Sequence, residues 1–335
     1  MGYTLVILLI IFILFLGINS LKNNEMFLSK NNIQYPSFPI DVVYTWAGEI
    51  NSNNARLSNN NELKFSLRSV MKYAPWVNKI YILMNPPKKK PSWFNQTYSD
   101  KIILVDHYDT FKNKNHLPCT NSNSIETTII NIPGLSEHFI YFNDDVYLGN
   151  YVSYLDFFNK DGSKIIVDKK HINKCKSMII DNRFKTININ LPYYCGISQH
   201  IPFACKKSII KEFQEKYKDY IEFIRSIKSR KGTGKTKCHD NNLHKWCQQQ
   251  HGPVAKFSYD NNYALSYEYP KKDIRYISYD FDPNLRGLET IKRNKPKYYC
   301  INDTNIENEF NRNIFFKNIN SFMNEYYPEK PFFEK

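Results

Sequence analysis

Short apolar runs alternate with amphipathic segments along the first half of the chain, and the alternation predicts a sheet flanked by helices. Ile40–Trp46 (IDVVYTW) is β-branched and aromatic, which predicts a buried strand. An Asn-rich loop follows over residues 51–61. Glu62–Tyr73 then places Leu63, Leu67 and Val70 at helical spacing, and Pro75 closes the helix. Lys79–Met84 and Ile102–Val105 predict the second and third strands, and Ser124–Ile130 begins another helix. Phe139–Phe142 is a short, fully apolar strand that ends at Asn143-Asp144-Asp145. Strands separated by helices predict an α/β domain with a mostly parallel sheet. Such sheets bind ligands at the carboxyl ends of their strands.

Beyond Gly149 the pattern loosens into short strand-like runs and Lys-rich loops. Lys206–Ile227 and His239–Gln250 predict helices on either side of a basic loop at 229–236. Lys297–Cys300 is strand-like. Asn305–Tyr327 has helical spacing at Ile306, Phe310, Ile314, Phe315, Ile319 and Phe322. There is no internal repeat.

The N-terminus adds a segment of another kind. Tyr3–Ile18 is an uncharged apolar run that would rise about 24 Å as a helix, slightly short of a bilayer core. No Lys or Arg precedes it, and Ile18-Asn19-Ser20 is a poor cleavage site. An uncleaved transmembrane anchor is expected over a signal peptide. The expected organisation is an anchor at 1–20, a stem at 21–38 and a catalytic domain at 39–335. Seven cysteines after such a segment suit an oxidising lumen, and their odd number leaves at least one unpaired within the chain. The domain is therefore expected to be lumenal (endoplasmic reticulum or Golgi) or extracytoplasmic. Asn95-Gln96-Thr97 and Asn302-Asp303-Thr304 fit the glycosylation sequon, so a glycoprotein is expected.

The net charge of +14 would attract phosphates or nucleic acid. Lys and Asn are spread through the loops, however, with no basic recognition helix and no aromatic-basic interleaving, which argues against nucleic acid. Asp144 and Asp145, at the end of an apolar strand, suit a hard divalent cation holding a diphosphate, or else a simple Asx turn. His200 is either a general base or a structural histidine. Asp303 is either a second acid or part of a glycosylated turn, and a glycan on Asn302 would not fit a tight site. Lys231–Thr236 lacks the first glycine of a P-loop, since Ser229 stands there. Cys238 and Cys247 fit a disulfide better than a zinc site, because the spacing with His239 and His244 matches no standard module.

The order IDVVYTW (40–46), NELKFSLRSVMKYAPWVNKIYIL (61–83), LPCTNSNSIE (117–126) and IPGLSEHFIYFNDDVYLG (132–149) resembles the first two conserved regions of the Stealth family. QHIPFACKKSIIKEF (199–213) resembles the third region and YYCINDT (298–304) the fourth. The family includes bacterial capsule and exopolysaccharide phosphotransferases and the enzyme that begins the mannose-6-phosphate tag on lysosomal hydrolases. The resemblance implies a Rossmann-like, nucleotide-sugar-transferase-like sheet. It implies transfer of a sugar-1-phosphate, usually from a UDP-sugar, to a glycan acceptor, with Mg²⁺ or Mn²⁺. Asp145, His200 and Asp303 would be catalytic, with Asp145 and Asp303 on the metal. Trp46, Asn143, Asp144 and an arginine would bind substrate. Arg230 is the first choice for that arginine and Arg225 the second. After Trp46 the chain reads Ala47-Gly48-Glu49, about a residue shorter than the family pattern, so no role carries over to Glu49. An ordinary glycosyltransferase would share fold, metal and donor, and a non-catalytic glycan-binding relative would share the fold.

Overall fold

The structure is a computed structural model describing residues 33–48, 60–85, 90–95, 100–177, 193–195, 200–229, 250–278, 282–302, 306 and 308–335. The chain divides into two units, residues 1–35 and 36–335. Only residues 33–35 of the first are described. Segment 3–18, Arg230, the loop 231–236, Cys238 and Cys247, the 239–249 stretch and Asp303 lie outside the described residues. Among the described residues no helix is long and apolar enough to cross a membrane.

In chain order the elements are β1 (Ile40–Trp46), α1 (Glu62–Tyr73), β2 (Ile80–Met84), β3 (Ile102–Asp106), α2 (His107–Thr110), α3 (Ser122–Glu126), β4 (His138–Asn143) and β5 (Val146–Leu148). There follow β6 (Ile165–Asp168), α4 (Lys169–Lys174), β7 (Cys175–Ser177), β8 (Tyr193–Cys195), β9 (Phe203–Lys206), α5 (Lys207–Lys216) and α6 (Lys218–Ser226). The chain continues with α7 (His251–Asp260), β10 (Ala264–Tyr267), β11 (Ile274–Ser278), α8 (Arg286–Asn294), β12 (Tyr298–Asn302) and α9 (Glu309–Tyr326).

The main sheet has the order β3-β2-β1-β4-β9. The first four strands are parallel, and β9 joins β4 antiparallel at the edge. Every β1 residue except Thr45 is buried, as expected of a strand covered on both faces. Each fully buried aliphatic or aromatic side chain there contributes about 1.5–3 kcal/mol relative to exposure. The one acid in β1, Asp41, is fully buried and satisfied: it accepts from Asn78 Nδ2 (2.8 Å), Lys79 N (3.1 Å) and Ser136 N (2.7 Å).

A second sheet, β11-β12-β5, sits directly after the first in the chain. Only Asp144 and Asp145 separate β4 from β5. Two serines on the buried face of α1 secure β5. Ser66 Oγ donates to the Val146 carbonyl (2.5 Å), and Ser69 Oγ accepts from Leu148 N (3.0 Å). Tyr327 Oη donates to the Leu148 carbonyl (2.7 Å). These bonds satisfy backbone groups that a strand edge would otherwise leave open. Beneath this sheet, Tyr147 and Tyr299 stack at 5.0 Å and pack with Ile291, Phe315, Phe322 and Met323 in a second core.

Several elements differ from the sequence expectation. The helix expected from Ser124 is one turn, α3, followed by a 3₁₀ turn at Ile129–Asn131. Thr127 and Thr128 hydroxyls bond the Ser124 and Ile125 carbonyls, at 2.7 and 2.8 Å, competing with helix continuation. The long 206–227 helix is broken at Tyr217, whose backbone (φ −117°, ψ 40°) leaves the helical region. Helix α7 had no sequence expectation. Pro253 lies in its first turn, where the missing N–H costs nothing. Among the described residues one disulfide, Cys175–Cys195, joins β7 to β8.

Candidate active site

The parallel register places Thr45 opposite Asn143 and Trp46 opposite Met84, so β1, β2 and β4 end together. The reversed direction of β9, with Phe203 opposite Tyr141, returns the residues just before it to the same end. His200 arrives there by that route. Strand β12 pairs with β5, Cys300 opposite Val146, and Ile301 N donates to the Asp145 carbonyl (3.2 Å). Three stretches distant in sequence thus meet at the two-residue Asp144–Asp145 turn.

The two acids diverge. Burial above all raises the pKa of Tyr44 and Tyr141, and the charge of Asp144 adds to both, which puts Asp144 on the β1–β4 side. Asp145 faces β12 and α1. Its Oδ2 accepts from Cys300 Sγ (3.3 Å) and Asn302 Nδ2 (3.2 Å). His200 Nδ1 lies 3.9 Å from the same oxygen and, though buried, has no hydrogen-bond partner among the described residues. The His200 ring packs against Tyr276 of β11, centroids 5.3 Å apart. Ligand atoms of Asp145, His200 and Cys300 all lie within 4.8 Å of one another.

Asn143 belongs to a second cluster behind the turn. Tyr141 Oη lies 2.9 Å from the Asn143 side-chain amide, 2.9 Å from Thr45 Oγ1 and 3.2 Å from Glu126 Oε1. Glu126 is also paired with His251 Nδ1 at 3.1 Å, both groups nearly fully buried. The His251 ring stacks on Phe203 at 3.8 Å.

Of the expected site residues, the structure brings together Asp145 and His200 at the turn, with Asn143 and Asp144 beside them. Trp46 ends β1 at the same end of the sheet and is 5% exposed, so packing accounts for most of its surface. Arg225 is committed elsewhere: it donates to Thr127 Oγ1 (3.1 Å), the Thr127 carbonyl (2.9 Å), Gln214 Oε1 (2.9 Å) and Glu222 (2.8 Å). That network makes it a structural arginine and rules it out as a phosphate clamp. Asn302 gives Asp145 the amide nitrogen that a glycan would need, so the site claims this residue.

Sequence reasoning missed Glu62, Cys300 and Tyr276. Burial first, then the charge of Asp145, push the Glu62 pKa up, while bonds from Asn60 N (2.6 Å) and Asn60 Nδ2 (2.8 Å) oppose the shift. Nothing distinguishes Glu62 from an ordinary first-turn acid. Strand alternation was a usable signal for Cys300, which shares a strand face with Asn302.

Residues 56–189 match the family described as Stealth protein CR2, conserved region 2. A capsular polysaccharide phosphotransferase of Neisseria meningitidis serogroup B is 28% identical, over 87% of this chain and 83% of that protein. An exopolysaccharide phosphotransferase of Streptomyces coelicolor is 29% identical, over 54% of this chain and 35% of that protein. Among solved structures, the galactosyltransferase LgtC with donor and acceptor sugar analogs aligns at a TM-score of 0.41 and 9% identity, covering 85% of this chain and 95% of that one. Asp145 meets His200 at the end of a parallel strand, inside the stretch that matches the Stealth conserved region 2, and the chain is similar along most of its length to a capsular polysaccharide phosphotransferase.

Proposed function

We propose that this protein transfers a sugar-1-phosphate from a nucleotide sugar, most simply a UDP-sugar, to a hydroxyl of an acceptor glycan in polysaccharide synthesis. The observation that carries the reading is the meeting of Asp145 and His200 at the carboxyl end of β4, in a chain aligned along most of its length with a capsular phosphotransferase.

The residues fit a divalent cation. Both described donors to Asp145 use Oδ2, which fixes the carboxylate and leaves Oδ1 without a described hydrogen bond. A hard oxygen of this kind suits Mg²⁺ or Mn²⁺, with Asp303 as a further expected ligand. Such a cation would neutralise charge on the donor diphosphate. His200 Nδ1, a buried nitrogen with no hydrogen-bond partner among the described residues, receives the proton of the acceptor hydroxyl. Tyr276 holds the imidazole from one side. The acceptor oxygen forms a bond to the β-phosphorus. The bond from that phosphorus to the bridging oxygen breaks, and UMP leaves. Arg230 remains the candidate for a phosphate clamp, and Trp46 for a wall of the donor site.

A donor labelled in its β-phosphate tests the reaction. Label in the acceptor product, with UMP released, supports it. Release of labelled UDP would make the protein a glycosyltransferase. The apolar run 3–18 supports anchorage with the catalytic domain on the extracytoplasmic or lumenal face. In sealed vesicles whose cytoplasmic face is outward, digestion of the domain by added protease would overturn that orientation.

A further inference from the structure

Tyr141 Oη has three polar neighbours: Glu126 Oε1, Thr45 Oγ1 and the Asn143 amide, the last placed with Oδ1 toward it. A phenol brings one proton and two lone pairs. A phenol keeps its proton near neutral pH, so the oxygen brings that proton to the cluster. Glu126 and Asn143 Oδ1 cannot both receive it. The carboxylate is the stronger acceptor, and it lies in a 3% exposed position where an unmet charge is costly. Glu126 therefore takes the Tyr141 proton, and Thr45 donates to Tyr141. The remaining phenol lone pair then faces the Asn143 amide, which meets it favourably only with Nδ2. A half-turn about the Cβ–Cγ bond achieves this with no change of shape.

We propose that Glu126 and Tyr141 are positioning residues that set the polarity of Asn143. Through them the amide nitrogen points inward and the amide oxygen faces the space at the end of β4, where it serves as an additional ligand for the divalent cation. The proposal rests on the reading of the site as a cation-dependent transferase. It deepens that reading by assigning a role to a buried acid 19 positions before Asp145 in the chain. The Glu126–His251 pair belongs to the same device: His251 Nδ1 at 3.1 Å and the Phe203 stack hold the imidazole that fixes Glu126.

The test measures Mn²⁺ affinity calorimetrically on the full chain without donor, so its outcome is independent of which bond the enzyme makes. In Glu126→Gln the new amide can turn its NH₂ toward Tyr141 Oη, the phenol proton passes to Asn143 Oδ1, and an NH₂ faces the cation. Mn²⁺ binding should weaken by about tenfold, in the range expected when an outer-shell partner is lost. Asn143→Asp should suppress the defect, because a carboxylate presents an oxygen on both sides. Asn143→Asp alone is the control for added charge, and its effect should be smaller than its effect in the Glu126→Gln background. Wild-type affinity in Glu126→Gln would overturn the proposal, as would a double variant no better than Asn143→Asp adds on its own. Should Glu126→Gln not fold, Tyr141→Phe serves instead. It frees the amide to turn, so a severalfold loss abolished by Asn143→Asp is expected. An equal loss with and without Asn143→Asp would overturn the proposal. Label transfer from the β-phosphate, assayed separately, reports on the reaction itself.

Discussion

His200 Nδ1 and Asp145 Oδ2 face each other across 3.9 Å, too far for a direct hydrogen bond. Asp145→Asn keeps the shape of the side chain and its contact with Asn302. It should leave circular dichroism unchanged and lower kcat by about a hundredfold or more, the scale of a lost electrostatic stabiliser. His200→Ala should cost about 10²–10⁴ in kcat, as expected of a general base. Folded variants with near-normal turnover would remove both from the mechanism.

Glu62 gives a prediction about stability. Its folded pKa is raised above the unfolded value, chiefly by burial. Its contribution is therefore fully present below the unfolded pKa and is lost as pH rises through the folded pKa. At pH 7 the buried acid therefore costs stability. Glu62→Gln should raise the thermal midpoint of the metal-free protein at that pH and should lose the gain at pH 4. A midpoint unchanged or lower at pH 7 would contradict the shift.

Arg68 and Glu334 form a two-pronged ion pair, 2.5 and 2.6 Å, with both side chains almost fully buried. Arg68 also donates to the Tyr327 carbonyl (2.7 Å), tying α1 to the C-terminal tail. Arg68→Met leaves an unpaired buried carboxylate and should destabilise by about 3–5 kcal/mol in urea unfolding. Adding Glu334→Leu should recover most of that loss, since no buried charge remains. Equal instability of the single and double variants would show that packing, not charge, is at stake.

Burial lowers the pKa of His107 from 6.5 to about 4. The same cause, helped by His251 and Lys174, brings His171 to about 4. A depressed folded pKa means the stability is present above about pH 6.5 and is lost as pH falls toward 4. Each histidine can account for about 3 kcal/mol of that loss. Unfolding free energy measured across this window should fall on acidification, and His107→Gln should flatten the slope. An identical slope in the variant would place the acid sensitivity elsewhere.

Strands β1 and β4 and helix α1 were legible in the sequence because each carries its own pattern within a few residues. Ile40–Trp46 and Glu62–Tyr73 have the expected boundaries. What was not legible depends on partners. The antiparallel return of β9 beside β4 is set by register, and no property of Phe203–Lys206 announces it. No sequence pattern announced α7, which carries Pro253 in its first turn. In the site, family order pointed to Asp145 and His200. The Glu126–Tyr141–Asn143 chain needs the α3 turn folded against β4, and Arg225 looked available only until Thr127 and Gln214 were seen to hold it.

The two-residue link between β4 and β5 also bears on how this chain can diverge. Strand β4 is fixed in the main sheet by β1 and β9, and β5 is fixed by β12 and the α1 serines. An inserted residue would have nowhere to bulge without breaking one of these pairings. The Asp144–Asp145 link tolerates substitution but not a change of length, so deletion and insertion scanning should find here the narrowest tolerance in the first half of the chain.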